Sequence, residues 1–261
     1  MDFYTKIFCG FGVSTLFLGI LSMQVFGQEA AGWKEAWQSP PNELRPLQIV
    51  HGIPAAQATP EAMAVLKEIG FGGMVCNVSF QDYLVSEENW ATLVRAVEAA
   101  QAAGLVVWIY DEDGYPSGAA GGLVLKENPA YDSQVLVYDA SQPEPFAVRA
   151  AYEHTHASNN FYAARRCPNL IDRAAMRCFI EKTHQAYREK LGPEFGAVRA
   201  FFTDEPSLMA VNLGPLPEHI RKNVKVVDPV DETVKPLPMV PWCGDLAQEY
   251  QRRYGEDLLA V

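Results

Sequence analysis

Four times along this chain a short apolar run gives way to a helix-period segment, and this alternation limits the fold more than any other feature. The runs are "LQIV" (Leu47 to Val50), "GGMVCNV" (Gly72 to Val78), "LVVWIYDED" (Leu105 to Asp113) and "VRAFFTDE" (Val198 to Glu205). They are apolar throughout rather than alternating, which is the pattern of parallel strands covered on both faces. Between them lie well-signposted helices. Thr59 and Pro60 open the first and Gly70 ends it, while Trp90, Leu93, Val94, Val97 and Ala100 stripe the second up to Gly104. A short one is expected near Ala119 to Lys126, a longer one runs from Asp172 to Gly192, and "DLAQEYQRRYG" forms a last one.

Such a rhythm fits a doubly wound open sheet or an eight-fold barrel. The first strand-to-helix turn, "VHGIPAAQATPE", lacks the glycines of a nucleotide-binding turn, and no GxxxxGK[ST] occurs. Polar residues gather instead at the C-terminal ends of the runs: His51, Asn77, Asp111-Glu112-Asp113 and Asp204-Glu205. Barrel enzymes keep their chemistry there. The expected fold is therefore α/β, of (β/α)8 TIM-barrel type. Eight units with these insertions need more than 261 residues, so the first four units, a truncated half barrel, are expected. The expected organisation is a signal peptide over 1–27, a lead-in over 28–45, and a partial barrel over 46–261 with an insertion at about 114–170.

The signal-peptide reading rests on Lys6, the apolar run from Ile7 to about Phe26, and the small-residue exit at Val25-Phe26-Gly27. An uncleaved membrane-holding helix is the alternative. Export predicts a secreted or periplasmic protein with no membrane contact after cleavage. A net charge of -11, with no basic cluster, argues against nucleic acid and suits neutral substrates or cations. Cys76, Cys167, Cys178 and Cys243 show no CxxC spacing and read as simple thiols rather than a disulfide framework.

In "VRAFFTDEPSL", adjacent acids at a strand end point to different sides. A carboxylic acid in a partly desolvated, aromatic-lined mouth holds its proton near neutral pH, as glycoside hydrolysis demands of its general acid. Pro206 is expected to keep Glu205 in extended backbone. The alternative for Asp204 and Glu205 is a helix cap. In "WIYDEDGYPSGAAGG", Asp111, Glu112 and Asp113 suit Ca2+ or sugar hydroxyls, and Trp108, Tyr110 and Tyr115 offer flat faces to a pyranose. A solvated turn is the alternative. His51 and Asn77 read either as substrate contacts or as internally bonded side chains. The H-x-H pair His154 and His156 lacks a third ligand for zinc.

"GGMVCNVSFQDYLVSEENW", "GLVVWIYDEDGYPSGAAGGLVLKENP", "FGAVRAFFTDEPSL" and "VPWCGDLAQEYQRRYGEDLL" together resemble glycoside hydrolase family 106, the alpha-L-rhamnosidases and their relatives, over most of Pro46 to Leu259. The resemblance implies an exported barrel enzyme with appended β domains that cleaves oligo- or polysaccharide with inversion and carries a calcium ion. It implies Glu205 as general acid with Asp204 beside it, and Asp111, Glu112 and Asp113 as contacts to sugar or ion. The family's second carboxylate lies past the fourth unit, so this chain alone is expected to be inactive, a fragment or a decayed copy. A noncatalytic carbohydrate-binding protein and a beta-galactosidase-like retaining glycosidase are the competing readings.

Overall fold

The computed structural model describes residues 32–155, 163–206, 208, 210–211, 225–226 and 237–260. The expected signal peptide, His156, the side chain of His154 and most of the Pro-rich stretch before β11 lie outside them. In chain order the strands are β1 (Leu47–His51), β2 (Gly73–Asn77), β3 (Val106–Tyr110), β4 (Gln134–Tyr138), β5 (Phe146–Ala150), β6 (Tyr152–Thr155), β7 (Ala163–Arg165), β8 (Val198–Phe202), β9 (Ala210–Val211), β10 (Lys225–Val226) and β11 (Met239–Trp242). The helices are α1 (Pro60–Glu68), α2 (Glu87–Ala102), α3 (Leu123–Glu127), α4 and α5 (Leu246–Tyr254). α4 runs as Arg173–Ile180, a π turn at Glu181–Gln185, and Ala186–Leu191.

The protein is mixed α/β. Its centre is a four-stranded parallel sheet in the order β1-β2-β3-β8. Local chemistry builds each crossover. The Thr59 hydroxyl accepts from the Ala62 amide to open α1, Ser86 caps α2, and one Asp172 oxygen accepts from the Ala174 and Ala175 amides to open α4.

Side chains alternate across each strand. Met74 and Cys76 of β2, and Val107 and Ile109 of β3, face the helices. There they pack on Trp90, Leu93, Ala96, Val97 and Ala100 of α2 and on Tyr187 and Leu191 of α4. The Trp90 and Tyr187 rings meet edge-on at 4.9 Å. Tyr187 is fully buried, and its hydroxyl oxygen accepts from the Val78 amide at 3.0 Å.

The opposite face departs from expectation. Leu47, Ile49, Val75, Val106, Trp108, Ala200 and Phe202 line an open cavity of about 810 Å³. Ile49 remains 46% exposed, so among the described residues helices cover one face of this parallel sheet and not both.

Three other expectations are corrected. β3 ends at Tyr110, so the three acids sit beyond the strand rather than in it. The helix expected near Ala119 to Lys126 starts only at Leu123, because Ala120, Gly121 and Gly122 all hold positive φ. The 114–170 insertion is not mere excursion. β4 pairs antiparallel with both β5 and β11 in a three-stranded sheet, and β6 and β7 join β9 and β10 in a second small sheet.

Tyr187→Phe keeps the ring but removes the acceptor of the buried Val78 amide. Chemical denaturation should show a loss of about 1–3 kcal/mol.

Candidate functional site

The C-terminal ends of the four parallel strands are laced together by side chains. Asn77 Oδ1 accepts from the Gly52 amide at 3.0 Å, and Asn77 Nδ2 donates to the Glu112 carbonyl at 3.0 Å. One buried side chain thus joins the segments that follow β1 and β3. Asp111, also buried, accepts from Ser117 Oγ at 2.6 Å and from Thr203 Oγ1 at 2.7 Å. His184 Nε2 lies 3.0 Å from its second oxygen. A carboxylate only accepts, so that nitrogen carries the hydrogen. His184 projects from the π turn of α4, with its ring 4.2 Å from that of Phe201.

Ser117 then ties the β3 loop to the β8 loop twice. Its amide donates to the Asp204 carbonyl at 2.8 Å, and its Oγ accepts from the Asp204 amide at 2.9 Å. Glu112 is 1% exposed, and both carboxylate oxygens accept backbone amides, those of Asp113, Gly118, Ala119, Ala120 and Gly121, at 2.5–3.1 Å.

Several sequence expectations change at this point. Asn77, Asp111 and Glu112 are buried, with their polar atoms occupied by the protein's own donors and acceptors, which is the internally bonded arrangement. Amide hydrogens crowd Glu112, Asp111 faces three donors, and among the described residues no cluster of His, Cys, Asp and Glu could hold a metal ion. Trp108 lines the apolar sheet face rather than the strand ends. Asp113 and Tyr115 are half-buried on the same loop.

Three expected residues do come together. Tyr110 donates its hydroxyl to Asp204 Oδ2 at 3.1 Å, and the His51 ring lies 4.9 Å from that of Tyr110. Burial pushes the Tyr110 phenol well above its ordinary range, reinforced by the Asp204 charge. Burial lowers the His51 imidazole below its usual value, and the Asp204 charge offsets part of this.

Glu205 differs from expectation in two ways. It is exposed, not enclosed by aromatics, and its φ of +40° is left-handed rather than extended. Sequence reasoning also missed Phe80, which is 44% exposed with its ring stacked on His51 at 4.4 Å. A lone apolar residue in "NVSFQDY" carried no signal beyond its place just after β2. His184 sat unmarked among the helix positions that follow Phe179.

The rim therefore offers a stacked His51–Phe80 surface, a carboxylate fixed by Tyr110, and an exposed carboxylate on constrained backbone. This set can grip a flat, polyhydroxylated molecule and can present a proton donor or acceptor to it. No protein-family profile matches the chain, and no curated protein or solved structure matches it.

His51 supplies a pH test. Its folded-state value lies below the unfolded one, so the folded protein binds fewer protons. That share of stability is complete above the unfolded value of about 6.5 and is lost as pH falls through it toward the folded value. Denaturation at pH 7.5 and pH 5.5 should show a smaller acid-side decline in His51→Gln than in the parent. An equal decline would contradict the assignment.

Proposed function

We propose that the protein acts on carbohydrate, as an exported glycoside hydrolase of the kind that the family 106 resemblance implies. In this reading the parallel sheet is the first four units of a (β/α)8 barrel, Glu205 is the general acid, and Asp204 is its fixed neighbour. Oligo- or polysaccharide is the substrate, and a signal peptide over 1–27 directs export.

The observation that carries this reading is the end of β8. Asp204 is pinned by Tyr110 and Ser117, while the next residue, Glu205, is exposed on left-handed backbone beside it. Non-glycine residues persist in that region only where their surroundings hold them, and such residues cluster at functional sites. Consecutive parallel strands with polar ends and an apolar inner face support the barrel reading. The stacked His51–Phe80 pair supports a sugar, whose ring offers an apolar face and hydroxyls at its edge.

One observation favours the competing reading of a noncatalytic carbohydrate binder. Asp204 already receives the Tyr110 hydroxyl, so Glu205 is the rim carboxylate with no partner among the described residues. Two-carboxylate hydrolysis needs a second group to activate water.

The test compares Phe80→Ala and Glu205→Gln with the parent protein, using rhamnose-containing oligosaccharides. Phe80→Ala should weaken sugar binding, read by titration calorimetry, about 5–30-fold, equivalent to roughly 1–2 kcal/mol of lost ring contact. Glu205→Gln should leave binding within about threefold. In a protein that also carries the second carboxylate, it should slow cleavage of a poor leaving group by about 10²–10⁴-fold and that of an activated aryl glycoside far less. Binding without turnover even when the second carboxylate is present supports the noncatalytic reading, and absence of sugar binding overturns both.

A further inference from the structure

The geometry points to Glu112 as a positioning residue, a tethered anion seated in an amide nest, which fixes the loop after β3 and through Ser117 holds Asp204 in place. The nest is a feature of the loop itself. Gly118, Ala120, Gly121 and Gly122 hold positive φ, and these reversals turn successive N–H groups toward one point. Close packing fixes the same path. A Cβ on Gly118 would lie 2.6 Å from the Leu170 side chain, and one on Gly121 would lie 2.9 Å from the Tyr83 ring.

Ala120, at φ +51°, is held against its own preference. Left-handed backbone costs a non-glycine residue about 1 kcal/mol, so something must hold the turn. The Glu112 carboxylate is that group, with three amides on Oε2 and two on Oε1. Burial raises its proton affinity above the ordinary carboxylate value, and the amides offset part of that rise. With both oxygens facing donors, a carboxyl proton would have no acceptor to meet, so the ionised form fits the nest.

The consequence reaches the rim. Ser117 precedes the first nest glycine and carries both hydrogen bonds to the Asp204 backbone. Asp204 in turn is the acceptor for Tyr110. A loop released from Glu112 would release Ser117, and Asp204 would lose the contacts that aim it. Glu112 needs no contact with a ligand to act in this way, and the nest stands independently of the carbohydrate reading.

The test is amide hydrogen exchange on the whole protein as Glu112→Ala, with sodium formate as the free carboxylate probe and sodium chloride at equal ionic strength as control. The amides of Gly118, Ala119, Ala120 and Gly121, together with those of Ser117 and Asp204, should exchange about 10–100-fold faster than in the parent. Strand amides of β2 and β3 should keep their protection. Formate should restore the loop in a saturable way, and chloride should not.

Glu112→Gln keeps one acceptor but sets an NH2 group against the amides, so it should give an intermediate acceleration with no response to formate. Should Glu112→Ala be isolated unfolded, recovery of the fold in formate is the readout. Unchanged loop exchange, equal acceleration in the strands, a chloride effect matching formate, or failure to fold in formate would each overturn the proposal.

Discussion

An ionised carboxylate taken out of water must be repaid by donors, and Glu112 meets that demand wholly with backbone amides. The remainder of the strand-end architecture depends on this arrangement. Through the same loop, Ser117 reaches Asp111 and Asp204, and Asp111 reaches Thr203 and His184. Three acids that look like a cation site in sequence therefore do different work. The first crosslinks β3, β8 and α4, and the second organises the loop. The charges of these two are met by the protein's own donors.

The sheet beneath supplies the rigid base. Its helix-facing side is densely packed around Trp90, Val97, Ile109 and Tyr187. Its other side carries Trp108, Ile49 and Phe202 around an open cavity. The strands are thus held from one side, and their ends are joined across by Asn77 and Ser117. A rim that binds a sugar loses less ordering entropy when its groups are already placed. That is the physical reason to look for function at His51, Phe80, Asp204 and Glu205 rather than in the apolar cavity.

Much of the fold was legible because strands and helices announce themselves by period and punctuation. Thr59-Pro60, Ser86 and Asp172 mark helix starts, and the structure uses all three as caps. Parallel order followed from runs without alternation. The uncovered face was not legible, since apolar composition says that a surface prefers burial and not that it is buried. The three-stranded sheet was missed because β11 joins the β4–β5 hairpin over long sequence separation, which local pattern does not record.

The site divides in the same manner. His51, Tyr110 and Asp204 were singled out because they lie at strand ends, and the structure brings them together. Glu112 and Asn77 occupy equivalent positions, and only the hydrogen-bond partners separate a fastener from a contact. Glu205 was expected on extended backbone because a proline follows it, yet that local preference yields to the geometry at the end of β8.

The most direct measurement of the central claim is a crystal structure of the protein soaked with a rhamnose-containing oligosaccharide. Density for a sugar ring against His51 and Phe80, with a Glu205 oxygen within about 3.2 Å of the glycosidic oxygen, is the expected result. A sugar seated in the apolar cavity beside Trp108, or bound with Glu205 turned away from the linkage, would contradict it.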